Sequence, residues 1–401
     1  MKCKYIDSSL LMISEKGLEQ MQLYPENTLL LVTRSGILRH TIPVAILKKP
    51  ATINQDLKAI MLYTPNLEEY IYICIKGMES RLILEYTKAG ATVENINFDA
   101  FQKILLPIPP ENQIQRIIDA TNDTDEVIGK LKIEQEDLID IIDKTKSKIL
   151  DLAIRGKLVP QNPDDEPASV LLERIRAEKE ELIRQGKIKR DKKESVIFKG
   201  EDNSYYEKID GVDICIDEKI PFSLPENWRW ERLGNISTIA RGGSPRPIED
   251  YLTESDDGIN WIKIGDTEQG GKYISSTREK IIPAGLSKTR YVKSGDFLLT
   301  NSMSFGRPYI LKTDGCIHDG WLVIGDIENV FNQDYLYYAL SSGFMYKSFS
   351  EVAAGSTVKN LKSDTVKAVF FPVPPYDEQV RIANYVEKLF AAISSIEKSL
   401  S

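Results

Sequence analysis

The sequence predicts an α+β protein in which two globular domains are joined by long helices that form an antiparallel coiled coil. Three features support this prediction. One series of short motifs occurs twice, two stretches carry the apolar spacing of coiled-coil helices, and after residue 220 the chain changes to short apolar runs with frequent Gly and Pro. Short strands and helices separated by turn residues are typical of compact mixed domains.

The internal repeat indicates two copies of one domain. Residues 90–96 (GATVENI) match residues 355–361 (GSTVKNL), and a Pro-x-Pro-Pro motif follows each. These matches lie 265 residues apart, whereas residues 4–6 (KYI) match residues 272–274 (KYI) at a distance of 268. Solenoid proteins repeat every ~20–50 residues. A repeat this long is therefore a duplicated domain.

A long helix is predicted over residues 113–155, which contain no Pro and one interior Gly, Gly129. Its apolar seam steps alternately by three and four residues, as in a coiled coil, and the C-terminal stretch repeats this spacing. The seam positions are Ile128, Leu131, Leu138, Ile142, Ile149 and Leu152 on the long helix, and Ile382, Val386, Leu389, Ile393, Ile396 and Leu400 on the last one. Two matching seams most simply pair with each other. The alternative is that each packs on its own domain.

The region between the long helix and the second domain contains a turn, a shorter helix and a basic run. Gly156 stops the long helix, and an amphipathic helix is predicted over residues 168–185, with Pro167 and preceding acids at its start. Residues 187–193 are rich in Lys and Arg. This run is either a solvated linker or a strip that contacts phosphate.

The second domain is predicted to contain strands at 259–264, 296–300 and 321–324 and helices at 333–342 and 359–365. The predicted boundaries are residues 1–108 for a truncated first domain, 109–205 for a central helical spacer with the coiled-coil helix and basic linker, 206–375 for the second domain and 376–401 for the C-terminal coiled-coil helix.

The composition of the 401 residues is that of a globular protein, with 42% apolar and 28% charged residues. No apolar run approaches the ~20 residues of a membrane span, and the start lacks a secretory signal, so we expect a cytoplasmic protein without a membrane partner. The four cysteines are scattered and there are two histidines, so neither a zinc site nor a His-based triad is expected. A net charge of −8 argues against non-specific nucleic-acid binding through a uniformly positive surface. It does not exclude DNA binding by a local basic region.

Several motifs together resemble a known family. They are PENWRWERLG at 225–234, GGSP at 242–245, INWIKIGD at 259–266, GDFLL at 295–299, PVPP at 372–375 and GKLVP at 156–160. Each alone is weak, but their order across nearly the whole chain resembles the specificity subunit of type I restriction-modification enzymes. In the first copy, TRSG at 33–36 and NQDL at 54–57 resemble the family as well.

The resemblance implies a non-catalytic subunit in which each domain reads one half of a bipartite site on double-stranded DNA. Methyltransferase subunits, which use S-adenosylmethionine and flip an adenine out of the duplex, would bind beside the domains. Restriction subunits that need ATP and Mg would join through them. No cofactor or metal is expected in this chain, and the paired helices would act as a ruler between the half-sites.

Two departures from the family pattern affect the first copy. It begins at the point equivalent to about residue 270 of the second, so the counterpart of roughly 225–270 is missing, through truncation, a gene split or a misplaced start. In addition, Gln113 and Ile114 stand where the second copy has Glu378 and Gln379, a pair whose role we expect to be capping.

Catalytic motifs are absent from the sequence. There is no GxxxxGK[ST] loop for nucleotide phosphates and no Gly-rich turn for S-adenosylmethionine. The run Val373-Pro374-Pro375-Tyr376 resembles an amino-methyltransferase motif, but Val373 cannot accept a hydrogen bond from a target amine. The acids Asp256, Asp266 and Glu268 are better explained by loop solvation than by a metal-dependent nuclease site. We predict no catalytic and no metal-binding residues.

Candidate DNA contacts are polar and basic residues near turn glycines. Lys and Arg would contact phosphate to set the register, and polar side chains would read base edges; for each, the simpler alternative is an ordinary exposed polar residue. The second-domain candidates are Arg241, Ser244, Arg246, Lys263, Asn301, Ser302, Ser304, Arg307, Ser356, Thr357 and Lys359, and the first-domain candidates are Arg34, Ser35, Arg39, Asn54, Gln55, Thr92 and Asn95.

Two other functions remain open on the sequence alone. A truncated regulatory partner would bind methyltransferase subunits without reading DNA, and the missing part of the first copy supports this alternative. A self-contained restriction-methylation enzyme would need the motifs that the sequence lacks.

Overall fold

A computed structural model describes residues 3–64, 67–88, 93–188, 190, 195–268, 270–301, 305–353 and 360–400 of the chain. The chain splits into two compact units, residues 1–136 and 137–401, called unit 1 and unit 2 below. Both combine sheets with helices, so the α+β class with two domains is confirmed.

Unit 1 combines a four-stranded mixed sheet and a two-stranded antiparallel sheet with short helices among its described residues. Its elements are β1 (Tyr5–Ile6), α1 (Glu15–Leu18), β2 (Leu29–Val32), β3 (Val44–Leu47), β4 (Leu57–Ile60), α2 (Glu68–Gly77), α3 (Glu79–Tyr86), β5 (Thr87–Lys88), β6 (Asn95–Ile96), α4 (Phe98–Phe101) and the start of α5 (Glu111–Ile154). The sheet order is β1-β3-β2-β4. Strands β2 and β3 are uninterrupted aliphatic runs because both faces are covered, and Ile71 and Ile75 of α2 join the same core.

The helix α5 runs through 44 residues, close to the predicted span. It begins directly after Pro107, Pro109 and Pro110, because proline lacks the backbone N–H that a helix interior needs. It ends before Gly156. Gly156 has φ 65°, and a Cβ there would overlap the ring of Pro225 and crowd the Trp228 indole. The residue is therefore required both by the left-handed backbone and by close packing.

Unit 2 contains the rest of α5 and twenty further α-helices and β-strands among its described residues. They are α6 (Ala168–Arg184), β7 (Ser195–Lys199), β8 (Tyr205–Ile209), β9 (Val212–Cys215), β10 (Arg229–Arg232), β11 (Thr238–Arg241), β12 (Leu252–Thr253), β13 (Ile259–Ile262), β14 (Tyr273–Ile274), β15 (Glu279–Ile281), β16 (Arg290–Val292), β17 (Phe297–Thr300), β18 (Pro308–Leu311), β19 (Gly315–Ile317), β20 (Trp321–Gly325), α7 (Gln333–Leu340), α8 (Gly343–Ala353), α9 (Ser363–Lys367), β21 (Phe370–Val373) and α10 (Tyr376–Leu400).

Two five-stranded sheets dominate unit 2, in the orders β11-β20-β17-β18-β14 and β12-β15-β13-β19-β16. A β10-β21 pair and a β7-β8-β9 sheet complete the set in the part that the structure describes. The strands predicted at 259–264, 296–300 and 321–324 are confirmed as β13, β17 and β20, and the helix predicted at 333–342 is confirmed as α7. The helix predicted at 359–365 is found as α9, whose bounds are Ser363–Lys367.

The two units share one sheet register, which confirms the repeat at the level of hydrogen-bonded pairs. The order β1-β3-β2-β4 of unit 1 corresponds to β14-β18-β17-β20 of unit 2. The matched rows of paired residues are Tyr5–Ile46–Leu29–Ile60 and Tyr273–Ile310–Phe297–Ile324. In both rows the first strand is parallel to the second and the others are antiparallel.

The second sheet of unit 2 is reduced in unit 1 to a single bridge. Tyr24 pairs with Ala51, at the position where β16 and β19 pair through Val292 and Gly315 in unit 2. Strand β13, which lies beside β19 in unit 2, has no counterpart among the described residues of unit 1. Strand β13 is the central strand of this sheet in unit 2, and the described residues of unit 1, which lack it, retain the isolated Tyr24–Ala51 bridge.

The predicted coiled-coil positions differ in burial along α5 and α10. On α5, Ile142 and Ile149 are buried, Leu138 and Leu152 are half-buried, and Ile128 and Leu131 are exposed. On α10, Ile382 and Val386 are buried, Leu389 and Ile393 are half-buried, Ile396 is 49% exposed, and the side chain of Leu400 lies outside the described residues. Within unit 2, Lys146 Nζ lies 2.6 Å from Glu397 Oε1, so the two helices meet there. Pairing along the whole seam stays a prediction.

Four tryptophans lie in unit 2, at 228, 230, 261 and 321, and all are buried. The four cysteines are free thiols. Among the described residues, no helix is both long and apolar enough to cross a membrane, and no group of three or more His, Cys, Asp or Glu side chains is placed to hold a metal ion.

Candidate nucleic-acid interface

The candidates that follow β11 converge on one residue that sequence reasoning missed, Asp319. The Ser244 hydroxyl donates to Asp319 Oδ1 at 2.9 Å, and Arg246 Nη2 lies 3.4 Å from Oδ2. The Asp319 carbonyl oxygen accepts from Arg241 Nε at 2.9 Å and from Asn301 Nδ2 at 2.8 Å. Three chain segments therefore meet at the turn between β19 and β20. We call these five residues the Asp319 cluster.

The charge state of the cluster is set by competing effects on Asp319. Burial alone would raise the pKa of its carboxyl. The Ser244 hydrogen bond, the neighbouring His318 and the positive charges of Arg241 and Arg246 outweigh burial and hold the pKa below its usual value. Asp319 is therefore ionised at neutral pH and orients Ser244 and Arg246.

The loop glycines serve the protein's own packing. Gly242 N donates to Trp321 O at 3.0 Å and Gly243 N to Ile317 O at 3.2 Å. A Cβ at either glycine would collide with backbone oxygens, those of residues 317 and 318 for Gly242 and that of Lys288 for Gly243. Close backbone packing therefore requires glycine at both positions.

Two further basic residues extend the surface and were missed. Arg290 is exposed and donates from Nε to the Arg241 carbonyl oxygen at 3.1 Å. Lys288, also exposed, donates to the hydroxyl of Tyr251 at 2.5 Å. With Arg246, whose side chain is 81% exposed, they form a basic rim around the loop. Lys288 ends a short 3-10 helix and Arg290 begins β16, so both lie near the Gly-Gly loop in space but far from it in sequence, and no sequence signal pointed to them.

Two polar atoms beside the cluster are buried without a hydrogen-bond partner, Asn301 Oδ1 and Trp321 Nε1. Both residues are 1% exposed or less. Burying an unpaired polar group is costly. The orphan acceptor on Asn301 therefore marks a position where an added donor would be favourable.

The remaining second-domain candidates lie apart from this cluster or outside the described residues. Lys263 is half-buried and forms an ion pair with Glu279. Arg307 is exposed and lines a cavity of about 670 Å³ together with Tyr309, Tyr337 and Tyr346. Ser302, Ser304, Ser356, Thr357 and Lys359 lie outside the described residues.

The first-domain candidates gather where β2 ends. Arg34 and Asn95 form a backbone bridge, and Ser35 caps the turn at Gly36–Arg39 by accepting from Ile37 N. All of these lie near the start of β4, because Thr33 N donates to Asp56 O at 2.8 Å and Ile96 N donates to Thr33 O at 2.9 Å.

Charge and exposure differ among these first-domain side chains. Arg34, Asn54, Gln55 and Asn95 are exposed, and Arg39 pairs with the buried carboxylate of Glu94. The hydrogen bond from Arg39 lowers the pKa of Glu94. Thr92 lies outside the described residues. Unit 1 has no described counterpart of Arg241, Ser244 or Arg246, so the two sites are not equivalent.

Comparison with known proteins identifies the family. Residues 5–136 and 225–401 match a family model described as the type I restriction modification DNA specificity domain. The chain belongs to this family. The two matched stretches fall in units 1 and 2 and agree with the shared sheet register.

Members of the specificity-domain family among curated proteins match most of the chain. It is 32% identical over 267 residues to the type I restriction enzyme EcoEI specificity subunit of Escherichia coli, which covers 64% of this chain and 40% of that subunit. It is 25% identical over 385 residues to the EcoBI specificity subunit of Escherichia coli, covering 94% and 69%. The chain thus spans well under two thirds of the EcoEI subunit's length.

A solved structure shows the same fold. The chain aligns at a TM-score of 0.55 and 15% identity with a chain from a structure concerned with complex assembly and conformational transition of the type I R-M system, covering 94% of this chain and 78% of that one. At this identity the likeness concerns the fold alone.

Proposed function

We propose that this chain is the sequence-selecting subunit of a type I restriction-modification complex and performs no catalysis itself. The Asp319 cluster carries the proposal. It gathers two exposed arginines, a serine and an asparagine at the end of a rigid sheet, in a unit that matches the specificity domain. Rigid elements that present polar and basic side chains at one end suit groove recognition.

The exposure of each side chain in and around the Asp319 cluster indicates whether it would contact phosphate or bases. Arg246, Arg290 and Lys288 project into solvent and would neutralise phosphates, which supplies affinity without sequence information. Ser244, which is half-buried, would meet base edges, whereas the buried Asn301 would support the turn by donating to the Asp319 carbonyl oxygen. An arginine released from Asp319 could also bind guanine through two hydrogen bonds.

The helices would hold the two reading domains at a set spacing. Buried Ile142, Ile149, Ile382 and Val386, with the Lys146–Glu397 pair, support packing of α10 beside the C-terminal part of α5. At ~1.5 Å per residue, a helix of 44 residues is about 66 Å long. Such a rod would fix the number of unread base pairs between half-sites.

Methyltransferase and restriction subunits would be the protein partners. They would supply S-adenosylmethionine, ATP and Mg, so this chain would contribute selection and scaffolding only. The exposed apolar residues Val127, Ile128 and Leu131 on α5 would offer contact area to such subunits.

The test compares Arg246→Ala and Ser244→Ala with a matched control, Arg174→Ala, in the complex with methyltransferase subunits. The target is first found by comparing methylated sites in cells with and without the chain, and binding is then measured by gel shift at several salt concentrations. Arg246→Ala should lower affinity about tenfold and reduce the salt slope by about one. Arg174 of α6 pairs with Glu166, which precedes that helix, and its loss should change neither the affinity nor the salt slope.

A second candidate function is a partner that binds methyltransferase subunits without reading through unit 1. The absence of an Arg241–Arg246 loop counterpart among the described residues of unit 1 favours it. Scrambling each half of the target in turn separates the two: a reader loses binding with either half scrambled, whereas the alternative loses it only with the half read by unit 2.

A further inference from the structure

The hydroxyl of Ser244 in the Asp319 cluster has its single proton already engaged. Its oxygen lies 2.9 Å from Asp319 Oδ1. An ionised carboxylate accepts hydrogen bonds and has none to donate, so the proton in this contact is the one on Ser244. The Asp319 carboxylate is ionised at neutral pH because its pKa lies below the usual value. Ser244 therefore has no proton to offer to a ligand.

One of the lone pairs on the Ser244 oxygen is in use as well. The backbone N–H of Asp319 donates to this oxygen at 3.3 Å. A serine hydroxyl carries one proton and two lone pairs. One lone pair therefore remains for a ligand, and Ser244, which is half-buried, can act towards that ligand only as an acceptor.

His318 supports the same arrangement of protons around the carboxylate. Gly320 N donates to His318 Nδ1 at 2.9 Å, so the ring proton lies on Nε2. Nε2 is 3.0 Å from Asp319 Oδ1 and donates to it. Oδ1 thus accepts from His318 and Ser244 together, and both protons point at the carboxylate.

The loop backbone keeps the Ser244 hydroxyl in this place. On one side of Ser244, Gly243 N donates to Ile317 O at 3.2 Å, and on the other side Pro245 is buried. Turning the hydroxyl proton towards solvent would remove a donor from an ionised, half-buried carboxylate, and hydrogen bonds to charged groups are among the stronger ones. The acceptor character of Ser244 is therefore set before a ligand arrives.

The exposed side chains around Ser244 have the opposite character. Arg241 and Arg246 are exposed, and a guanidinium carries N–H donors and no acceptor. Asp319 Oδ2 is a second acceptor, but Arg246 Nη2 lies 3.4 Å from it. A ligand that enters the cluster therefore meets donors at the arginines and an acceptor at Ser244.

We propose that Ser244 selects a base with an exocyclic amino group in the half-site read by unit 2. The inference rests on the proposed DNA-reading function and adds the chemical group that is read. Adenine N6 and cytosine N4 offer such a donor in the major groove, and guanine N2 offers one in the minor groove. Thymine O4 and guanine O6 are acceptors, so at this position they would face the Ser244 oxygen without a proton between them.

The experiment measures the affinity of the complex with methyltransferase subunits for its target by gel shift, with one base analogue at a time. Each analogue lacks one group: purine replaces adenine, 2-pyrimidinone replaces cytosine, hypoxanthine replaces guanine, and 5-methyl-2-pyrimidinone, which lacks O4, replaces thymine. At one adenine, cytosine or guanine, loss of the amino group should weaken binding about fivefold, because the Ser244 oxygen loses its donor.

Three variants assign this effect to one side chain. Ser244→Ala should bind the natural target about fivefold more weakly than wild type and should not distinguish it from the analogue at that position. Ser237→Ala is the matched control, because Ser237 is also half-buried but lies before β11 and donates to Leu233 O at 2.7 Å. It should keep the wild-type discrimination. Arg246→Ala should weaken binding to both duplexes by the same factor.

Two outcomes overturn this inference and leave the DNA-reading proposal standing. In one, the complex binds its target selectively, but Ser244→Ala keeps every effect of an amino-group deletion. In the other, Ser244→Ala removes the effect of deleting thymine O4, which would show that the hydroxyl donates. Absence of selective binding by the wild-type complex would overturn both proposals.

Discussion

At the scale of single residues, Glu378 and Gln379 show why the two copies differ at the start of their last helix. Glu378 is buried and accepts from the Trp228 indole at 2.8 Å and from Gln161. Gln379 donates to Val330 O and accepts from Asn332 N. The pair ties distant segments together, so the expected capping role is wrong. In the described part of unit 1 no Trp228 counterpart is present, and Gln113 and the buried Ile114 occupy these two positions.

Replacing Glu378 tests this tie. Burial raises the pKa of Glu378 despite the hydrogen bonds from Trp228 and Gln161. Glu378→Gln keeps an acceptor for the indole and should cost less than about 1 kcal/mol, while Glu378→Ala should cost about 2–3 kcal/mol. Because the folded pKa is raised, wild type should gain stability relative to Glu378→Gln as pH falls from neutrality through that pKa towards 4.5. Urea unfolding followed by tryptophan fluorescence measures both the stability loss of each variant and its pH dependence. This signal reports unit 2 alone, because all four tryptophans lie there.

A second ionisable tie has the opposite pH dependence. Both oxygens of buried Asp165 accept from Arg381, which lowers the pKa of Asp165. A depressed folded pKa gives stability that is complete above the unfolded value of about 3.8 and is lost as pH falls through the folded one. Asp165→Asn should cost about 2 kcal/mol at pH 7, and the difference from wild type should vanish in acid. A constant difference down to pH 2 would contradict this account.

The glycine that stops α5 gives a prediction with an internal control. Gly156 and Gly186 both have positive φ, 65° and 69°. A Cβ at 186 meets nothing within 4 Å, whereas at 156 it would overlap Pro225. Gly186→Ala should therefore cost about 1 kcal/mol, from backbone strain, and Gly156→Ala at least about 3 kcal/mol. If chemical unfolding shows the same loss of stability for both variants, backbone strain alone accounts for it and the contact with Pro225 contributes nothing.

At the scale of elements, α10 is held to unit 2 by a narrow apolar face. Ile382, Ala383 and Val386 are buried, while Tyr385 between them is 45% exposed. The prolines at 372–375 set the direction in which α10 leaves β21. The helix is therefore part of the unit-2 core before it is part of any coiled coil.

Charging each face of α10 tests its role. Val386→Asp buries an unpaired carboxylate and should destabilise unit 2 by at least about 3 kcal/mol. Tyr385→Asp should change stability by no more than about 0.5 kcal/mol. If both variants unfold at the wild-type urea concentration, α10 is not docked as described.

At the scale of the whole molecule, the helix length should set the DNA spacing. Seven residues added to α5 after Lys132 add about 10.5 Å and keep the heptad phase. With ~3.4 Å per base pair, the gap between half-sites should grow by about three base pairs, with both half-sites unchanged. Sequencing of methylated sites in cells that express the variant measures the gap. The same insertion in the turn at 200–204 is the control, and an unchanged gap for both would exclude the ruler.

The sequence by itself determined what depends on local pattern. The duplicated motifs, which lie 265 residues apart, predicted two copies of one domain because each copy carries the same local pattern. The absence of Pro predicted α5, and aliphatic runs between turn residues predicted β13, β17 and β20, because these signals depend on neighbours within a few residues. The basic and polar candidates Arg241, Ser244, Arg246 and Asn301 were found in the same way.

Only the tertiary structure decided which of these residues meet. Asp319 organises four of them through contacts 18 to 78 residues apart in the chain, and Arg290 joins through a backbone carbonyl, so no local spacing could reveal either residue. The reduced second sheet of unit 1 likewise became visible only when its strands were aligned with those of unit 2. Strand pairing is a long-range interaction, and a strand without its partner carries the same sequence as one that has it.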